Sequence, residues 1–385
     1  MINLLKNIFL SKGNTTVVKH SNEPFYDRIV RVRKPRIDLE IANLKKFIDQ
    51  AQNIDDPNRF YLYTYYKEAM RDAHLLAQTR TTIYTIQQSK YQIVDDKENE
   101  EPELHRLFEN SWFSTYLQFA IESEFYSHSL IEFSKQKDGL FTEIKLIPRE
   151  NVVPEFGIVK INPMDDPKKG IPYRDMMNEL FLQEIGDEYD LGLLSIAAQY
   201  TTYKNYSISD WARASEKYGM PLLAINASSK NPRELDAIEE MARNIGSNGY
   251  VILDANDKID IVSQSYADGY FKGYLEMMIN CDAQISKLIN GQTMTQDDSS
   301  SYAQANVHER ILNNYTRARL AKLQNIINSS LFPFLSYHGY KLEGKQFRFY
   351  DIVSYYADKP QEESEPISSK QTYKKKKPLD LLYRT

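Results

Sequence analysis

Gly291-Gln292-Thr293-Met294-Thr295-Gln296-Asp297-Asp298-Ser299-Ser300-Ser301-Tyr302-Ala303-Gln304-Ala305-Asn306-Val307-His308 is a polar stretch set between two striped segments. Before it, Leu275, Met278, Ile279, Ile285, Leu288 and Ile289 recur at helical spacing up to Asn290-Gly291, with Asp282 interrupting the stripe. After it, Val307, Ile311, Tyr315, Leu320, Leu323, Ile327 and Leu331 do the same and predict a second long helix. A connection of this length between two strong helices is seldom passive in a compact domain. It offers hydroxyls, amides and the carboxylates Asp297 and Asp298, but no nucleophile–base pair and no metal-ligand cluster. The pattern alone also fits a plain mobile connection.

The segment upstream has its own punctuation. A long helical pattern from Leu191 to Tyr218 carries Tyr200, Tyr203, Tyr206 and Trp211, and stops at Gly219 with Pro221 just beyond. Asn231-Pro232-Arg233-Glu234 then reads as the start of a helix running to about Asn244. Tyr250–Asp254 and Lys258–Val262 read as two strands of a hairpin around Ala255-Asn256-Asp257. A small helix-plus-hairpin module is therefore expected between two long helices, which continue through 266–290 and 305–332.

Two blocks together carry a resemblance. Gly291-Gln292-Thr293-Met294-Thr295 followed by Ala303-Gln304-Ala305-Asn306-Val307-His308 resembles the G-Q-T-x-T and A-x-x-x-V-H signatures of Mu-like portal proteins of tailed phages. Met294 stands where Leu is usual and Gln296 where Thr is usual. Asp210-Trp211 followed by Glu216-Lys217-Tyr218-Gly219-Met220-Pro221 is similar to the same family's D-W-x-x-F-x-E-x-x-G-x-P block. The likeness extends loosely over residues 38–340. It implies an α+β portal-protein fold with a wing, a helical stem, a small α/β clip, and a long helix after a tunnel loop. The parts would be an N-terminal arm (1–37), the wing (38–188), a stem helix (189–220), the clip (221–263) and a second stem helix (264–290). The tunnel loop (291–304), a long helix with wing or crown region (305–355) and a flexible tail (356–385) would follow.

The resemblance also implies a function. The chain would be a virion protein, a head–tail connector at the capsid vertex, assembled in the host cytoplasm. About twelve copies would close head to tail into a ring. Double-stranded DNA would pass through that ring during packaging and ejection. Gln292, Thr293, Met294, Thr295, Gln296, Asp297, Asp298, Ser299, Ser300 and Ser301 would face the DNA. The hydroxyls and amides would give many weak phosphate contacts, with Asp297 and Asp298 preventing tight binding. Asn248, Gly249, Asp254, Asn256, Asp257 and Lys258 of the clip would dock a large terminase and later an adaptor or tail-completion protein. The major capsid protein would surround the ring.

Within the wing, Ile37, Leu39, Ile41, Leu44, Phe47 and Ile48 predict a helix to about Gln52. Asp56-Pro57 predicts the start of a second helix through Tyr61–Leu76 with Pro57 at its first position. Thr82–Val94 is β-branched and alternating and reads as a strand. Leu104–Tyr126 reads as one helix. Strands at 129–135 and 140–147 flank the turn Lys137-Asp138-Gly139, and 148–188 is Pro-rich with short strands. Arg28, Arg31, Arg33, Lys34 and Arg36 make residues 1–37 either a solvated tail or a strap on a neighbouring subunit or nucleic acid. After Pro333 only short mixed elements are expected, and the tail with Lys374–Lys377 reads as mostly disordered.

Composition excludes several classes. The 385 residues are 42% hydrophobic and 26% charged, ordinary for a folded chain of more than one subdomain. No apolar run is long enough to cross a bilayer. One cysteine, Cys281, rules out an intramolecular disulfide and a thiol-based zinc cluster, and reads as a packed thiol. The net charge of −5 lacks the basic surplus of a duplex-gripping protein. The 28 tyrosines suit extensive interfaces, or core packing. There is no G-x-x-x-x-G-K-[ST], no H-E-x-x-H and no G-x-S-x-G, so neither enzymatic activity nor a cofactor or metal is expected. The alternative is a DNA-binding or DNA-processing protein that uses the basic arm and tail.

Overall fold

The structure, a computed structural model, describes residues 24–30, 32–137, 140–166, 169–174, 181–218, 223–226, 232–244, 250–253, 264–291 and 302–350. The chain enters through α1 (Phe25–Arg28), a single turn strapped to its own subunit. Buried Glu132 accepts the backbone N–H groups of Phe25 and Tyr26 at 2.6 and 3.1 Å. Val30 N–H donates to the Ile161 carbonyl, and Lys34 pairs with Glu150 at 2.7 Å. From residue 24 onward the arm thus lies on the protomer that carries it, and some of its charge is engaged there.

Next come α2 (Ile41–Ala51), α3 (Phe60–Ala69) and α4 (Ala73–Gln88). α3 is apolar nearly all round, with Phe60, Leu62, Tyr63, Tyr65, Tyr66 and Ala69 buried, so it runs through the core. Its tyrosines bury their rings and still satisfy their hydroxyls: Tyr65 meets Thr202 at 2.7 Å and Tyr66 donates to the Leu191 carbonyl at 3.0 Å. The helix begins at Phe60 rather than at Pro57, because the Asn58 side chain accepts the Phe60 N–H at 3.1 Å. A second difference is larger. The stretch expected as strand 82–94 is helix through Gln88, and only β1 (Tyr91–Val94) is extended. Thr79, Thr82 and Thr85 return their hydroxyls to the carbonyls of Leu75, Gln78 and Thr81, so branched residues are accommodated in the helix. Asp72 caps its start by accepting from Leu75 N–H at 2.9 Å.

The region expected as one helix is broken at Glu109-Asn110 into α5 (Pro102–Phe108) and α6 (Ser111–Tyr126). α6 lays Trp112, Phe113, Tyr116, Leu117 and Phe125 into the main core. It covers an antiparallel sheet in which β2 (His128–Lys137) lies between β3 (Leu140–Leu146) and a later strand. β4 (Val152–Val153), β5 (Ile158–Val159) and β6 (Ile171–Pro172) form a short antiparallel sheet over a small second core with Phe25 and Ile147. β7 (Leu182–Gly186) then closes the β3–β2–β7 sheet.

The long helix α7 (Leu194–Tyr218) leaves this body. β8 (Leu223–Asn226), α8 (Pro232–Asn244) and β9 (Tyr250–Leu253) follow. β8 pairs with β9 in parallel, Leu223 opposite Tyr250 and Asn226 opposite Leu253. With α8 between them, β8 and β9 make a β–α–β unit that the sequence pattern did not announce. Parallel neighbours need a crossover, and α8 supplies it. The expected second hairpin strand, 258–262, lies outside the described residues.

α9 (Gln264–Asn290) returns antiparallel along α7, and α10 (Tyr302–Ile326) re-enters the main core. Pro333 does not end the helix, as its sequence position suggested. A π turn, Ile327–Leu331, leads directly into α11 (Phe332–Tyr337), with Pro333 in the first turn of α11. A proline in a plain α-helix would clash with the carbonyl four residues back, and the wider turn relieves this. The Ser330 carbonyl accepts Gln183 Nε2 at 3.1 Å. β10 (Gln346–Phe349) pairs antiparallel with β1, joining the last described strand to the first.

Candidate functional site

The two long helices α7 and α9 share a root in the main core. Leu194, Ala197 and Ala198 of α7 and Ile285 and Ile289 of α9 are buried together. Asp282, which interrupts the apolar stripe of α9, has a partner there: Lys204 Nζ lies 2.7 Å from Asp282 and 2.9 Å from Asp72, the cap of α4. Burial pulls the ammonium down, but the two carboxylates outweigh it and hold its pKa above the usual lysine value. One lysine thus ties both long helices to the start of α4. Cys281 beside it is buried, and burial pushes its thiol up, so it packs as an inert side chain.

On their outer sides the helices uncover apolar side chains. Ile196 is 47% exposed, Trp211 45%, Leu275 53% and Ile279 59%. Ile196, Ile208 and Trp211 fall within about 120° of arc on α7 at 3.6 residues per turn. Leu275 and Ile279 share one side of α9, and Met277, also exposed, points to the other.

The end of α9 is held from two sides. Arg319 of α10 is gripped through two nitrogens by Glu124 of α6 at 2.9–3.1 Å, and its Nη2 donates to the Ile289 carbonyl at 2.6 Å. Gly291 adopts φ +73°, and a Cβ there would stand 2.3 Å from the Tyr315 ring. Only glycine fits at the position where the chain leaves α9.

The loop residues Gln292, Thr293, Met294, Thr295, Gln296, Asp297, Asp298, Ser299, Ser300 and Ser301 all lie outside the described residues. So do Asn248, Gly249, Asp254, Asn256, Asp257 and Lys258 of the expected docking surface. What the structure places is the frame around them, namely the ends of α9 and α10 on one side and β8, α8 and β9 on the other. Lys204, Arg319 and Glu124 have structural roles that the sequence reading did not assign. Asp282, as a charge in an apolar stripe, was the visible signal for the first.

A second cluster of polar side chains joins β2 to β7, where Glu184 accepts from His128, Tyr173 and Arg174. Burial raises Glu184, but hydrogen bonds from His128, Arg174 and Tyr173 win and bring it down to about 2. His128 is pushed below the usual range by burial. Among the described residues no group of three His, Cys, Asp or Glu side chains could hold a metal ion. No described helix is long and apolar enough to cross a membrane.

The family model described as the portal protein of Mu bacteriophage matches residues 63–368. This chain belongs to that family. The portal protein of Escherichia phage Mu is 28% identical over 138 residues, which are 35% of this chain. The match spans only 27% of that relative's length. Among solved structures, this portal-family chain is similar to an HK97-family phage portal protein from Corynebacterium diphtheriae. That likeness has a TM-score of 0.42 and 13% identity, and covers 76% of this chain and 98% of the other. A chain in the neck of an empty GTA particle has a TM-score of 0.46 and 16% identity, with 74% and 84% covered.

Proposed function

We propose that this chain is the subunit of a phage portal, a ring of about twelve copies that connects head to tail at the capsid vertex and conducts double-stranded DNA. The observation that carries this reading, beside family membership, is the α7–α9 hairpin with apolar side chains uncovered on more than one side. A closed ring of identical subunits needs two different complementary faces on each copy. A monomer gains nothing from leaving Trp211, Leu275 and Ile279 in water, whereas a neighbour on each flank would bury them.

In this reading α7 and α9 are the stem and β8–α8–β9 is the clip. Residues 292–301 form the loop that faces the DNA. The elements up to β7, with α10 to β10, form the wing. The clip docks a large terminase and then adaptor or tail-completion proteins, while the wing meets the major capsid protein. The motor's ATP hydrolysis belongs to the terminase, and this chain acts as a structural ring. A DNA-binding role for the basic arm is weakened, because Lys34 is already paired with Glu150 and α1 is strapped down in cis.

Rotationally averaged micrographs of the purified full chain test the proposal. Rings with a central hole are expected, and a monomer by light scattering across a wide concentration range would sink it. Deleting 296–301 is expected to spare the ring and impair DNA packaging or retention.

A further inference from the structure

α4 and α9 run in the same sense, and polar pairs one turn apart line their contact. His74 Nε2 is hydrogen-bonded to Ser286 Oγ at 2.7 Å. Asn290 Nδ2 donates to Gln78 Oε1 at 2.6 Å, and Thr82 Oγ1 shares its one proton between the Gln78 carbonyl and Asn290 Oδ1, each at 3.1 Å. One turn before Ser286, Asp282 ends the row on Lys204. Beside this polar row runs an apolar one, Cys281, Ile285 and Ile289, all buried. Both rows of α9 repeat every four residues.

That repeat has a mechanical consequence. Advanced by four residues toward its own C-terminus, about 6 Å with a turn of about 40°, α9 would offer α4 a similar face. Asp282 would give up Lys204 and come opposite His74, and Ser286 would come opposite Gln78 and Thr82. Met277, now 39% exposed, would take the place of Cys281 as Ile289 leaves the core. Packed helices switch between such discrete arrangements rather than deforming continuously.

The end of the helix, in contrast, does not repeat. The Ile289 carbonyl can accept from Arg319 because carbonyls of the last turn lack a partner within the helix. The Ile285 carbonyl that would replace it is already engaged inside α9. Tyr315 likewise fits over Gly291 and over no side-chain-bearing residue.

We propose that α9 has two registers against α4, four residues apart, and that Arg319, held by Glu124, is the latch that selects the present one. Resting on the portal reading, the second register advances the base of the DNA-facing loop by four residues, so the latch sets where each subunit presents it.

Cysteine pairs in the full-length chain, with Cys281→Ser, test this. Thr82→Cys with Asn290→Cys reports the present register, Thr82→Cys with Ser286→Cys the shifted one, and Thr82→Cys with Met278→Cys neither. Disulfides need Cα atoms within about 7 Å, so a four-residue displacement separates the pairs. The 82–290 bridge is expected to form first and the 82–286 bridge at lower yield. Arg319→Ala should raise the 82–286 yield on the order of tenfold, since it removes a charged hydrogen bond. The idea is overturned if 82–286 forms no faster than 82–278 in both backgrounds, or if 82–290 does not form at all. Oligomer size on the same samples keeps the two readings apart: a monomer that forms the 82–286 bridge would refute the ring and leave the latch standing.

Discussion

Replacing Lys204 with methionine keeps the length of the side chain and removes the charge shared by Asp72 and Asp282. The ammonium side chain is 12% exposed, Asp72 8% and Asp282 30%. Breaking a fully buried ion pair costs about 3–5 kcal/mol, because the abandoned charge stays desolvated. Two features reduce that figure here. Water reaches Asp282, and Asp72 keeps the Leu75 N–H as a partner. Lys204→Met should therefore destabilise the protein by about 2–3 kcal/mol. Adding Asp282→Asn removes one of the two facing carboxylates and should recover at least half of the loss. The readout is the urea midpoint by far-UV circular dichroism at fixed protein concentration, since assembly would add its own stabilisation. The sign with pH also follows. A lysine whose folded pKa is raised contributes stability that is fully present below its unfolded pKa, and loses it as pH climbs through the raised value. The gap between parent and Lys204→Met should thus hold through neutral pH and close only in strong alkali. A stability within about 0.5 kcal/mol of the parent, the usual range for a surface change, would refute the claim that this lysine ties the two long helices to α4.

Glu132→Ala strips the acceptor from two backbone N–H groups, at about 1–3 kcal/mol for each that stays buried, and should make the chain before residue 32 an early site of limited proteolysis. Burial raises the Glu132 pKa, so its contribution is greatest below the unfolded pKa and falls as pH rises through the raised one; Glu132→Gln should abolish that dependence in melts taken from mild acid to neutrality. Gly291→Ala meets both a positive φ and the Tyr315 ring and should lower the melting temperature by a strain of about 1–3 kcal/mol; an unchanged melt would mean that the ring is not seated there. Ile279→Asp with Leu275→Asp should leave the circular dichroism of the subunit intact and abolish rings in light scattering, because both positions are exposed in the single chain; rings that persist would place the interface elsewhere.

How much of this was legible depended on whether the deciding contact was local. The periods of α7, α9 and α10 are properties of consecutive residues, and the expected helices match the observed ones to within a few positions. Thr82–Val94 carries a strand pattern because β-branched residues favour strands on average, while three threonines here return their hydroxyls to their own helix, Thr82 sharing its proton with Asn290. β8 has only four residues and pairs in parallel with a strand beyond α8, a partnership no local pattern announces. Pro333 carried a stop signal that the π turn absorbs. The same division applies to the candidate site. Its motif blocks pointed to a family, yet the groups that hold the loop's frame come from distant stretches: Asp72, Glu124, Lys204, Asp282 and Arg319 meet only after folding. A helix whose side face repeats every turn is positioned by contacts that do not repeat. In this chain those contacts are the helix-end carbonyl, the glycine under the ring and a lysine between two carboxylates, so the C-terminal end of α9 is positioned by anchors from distant stretches of sequence.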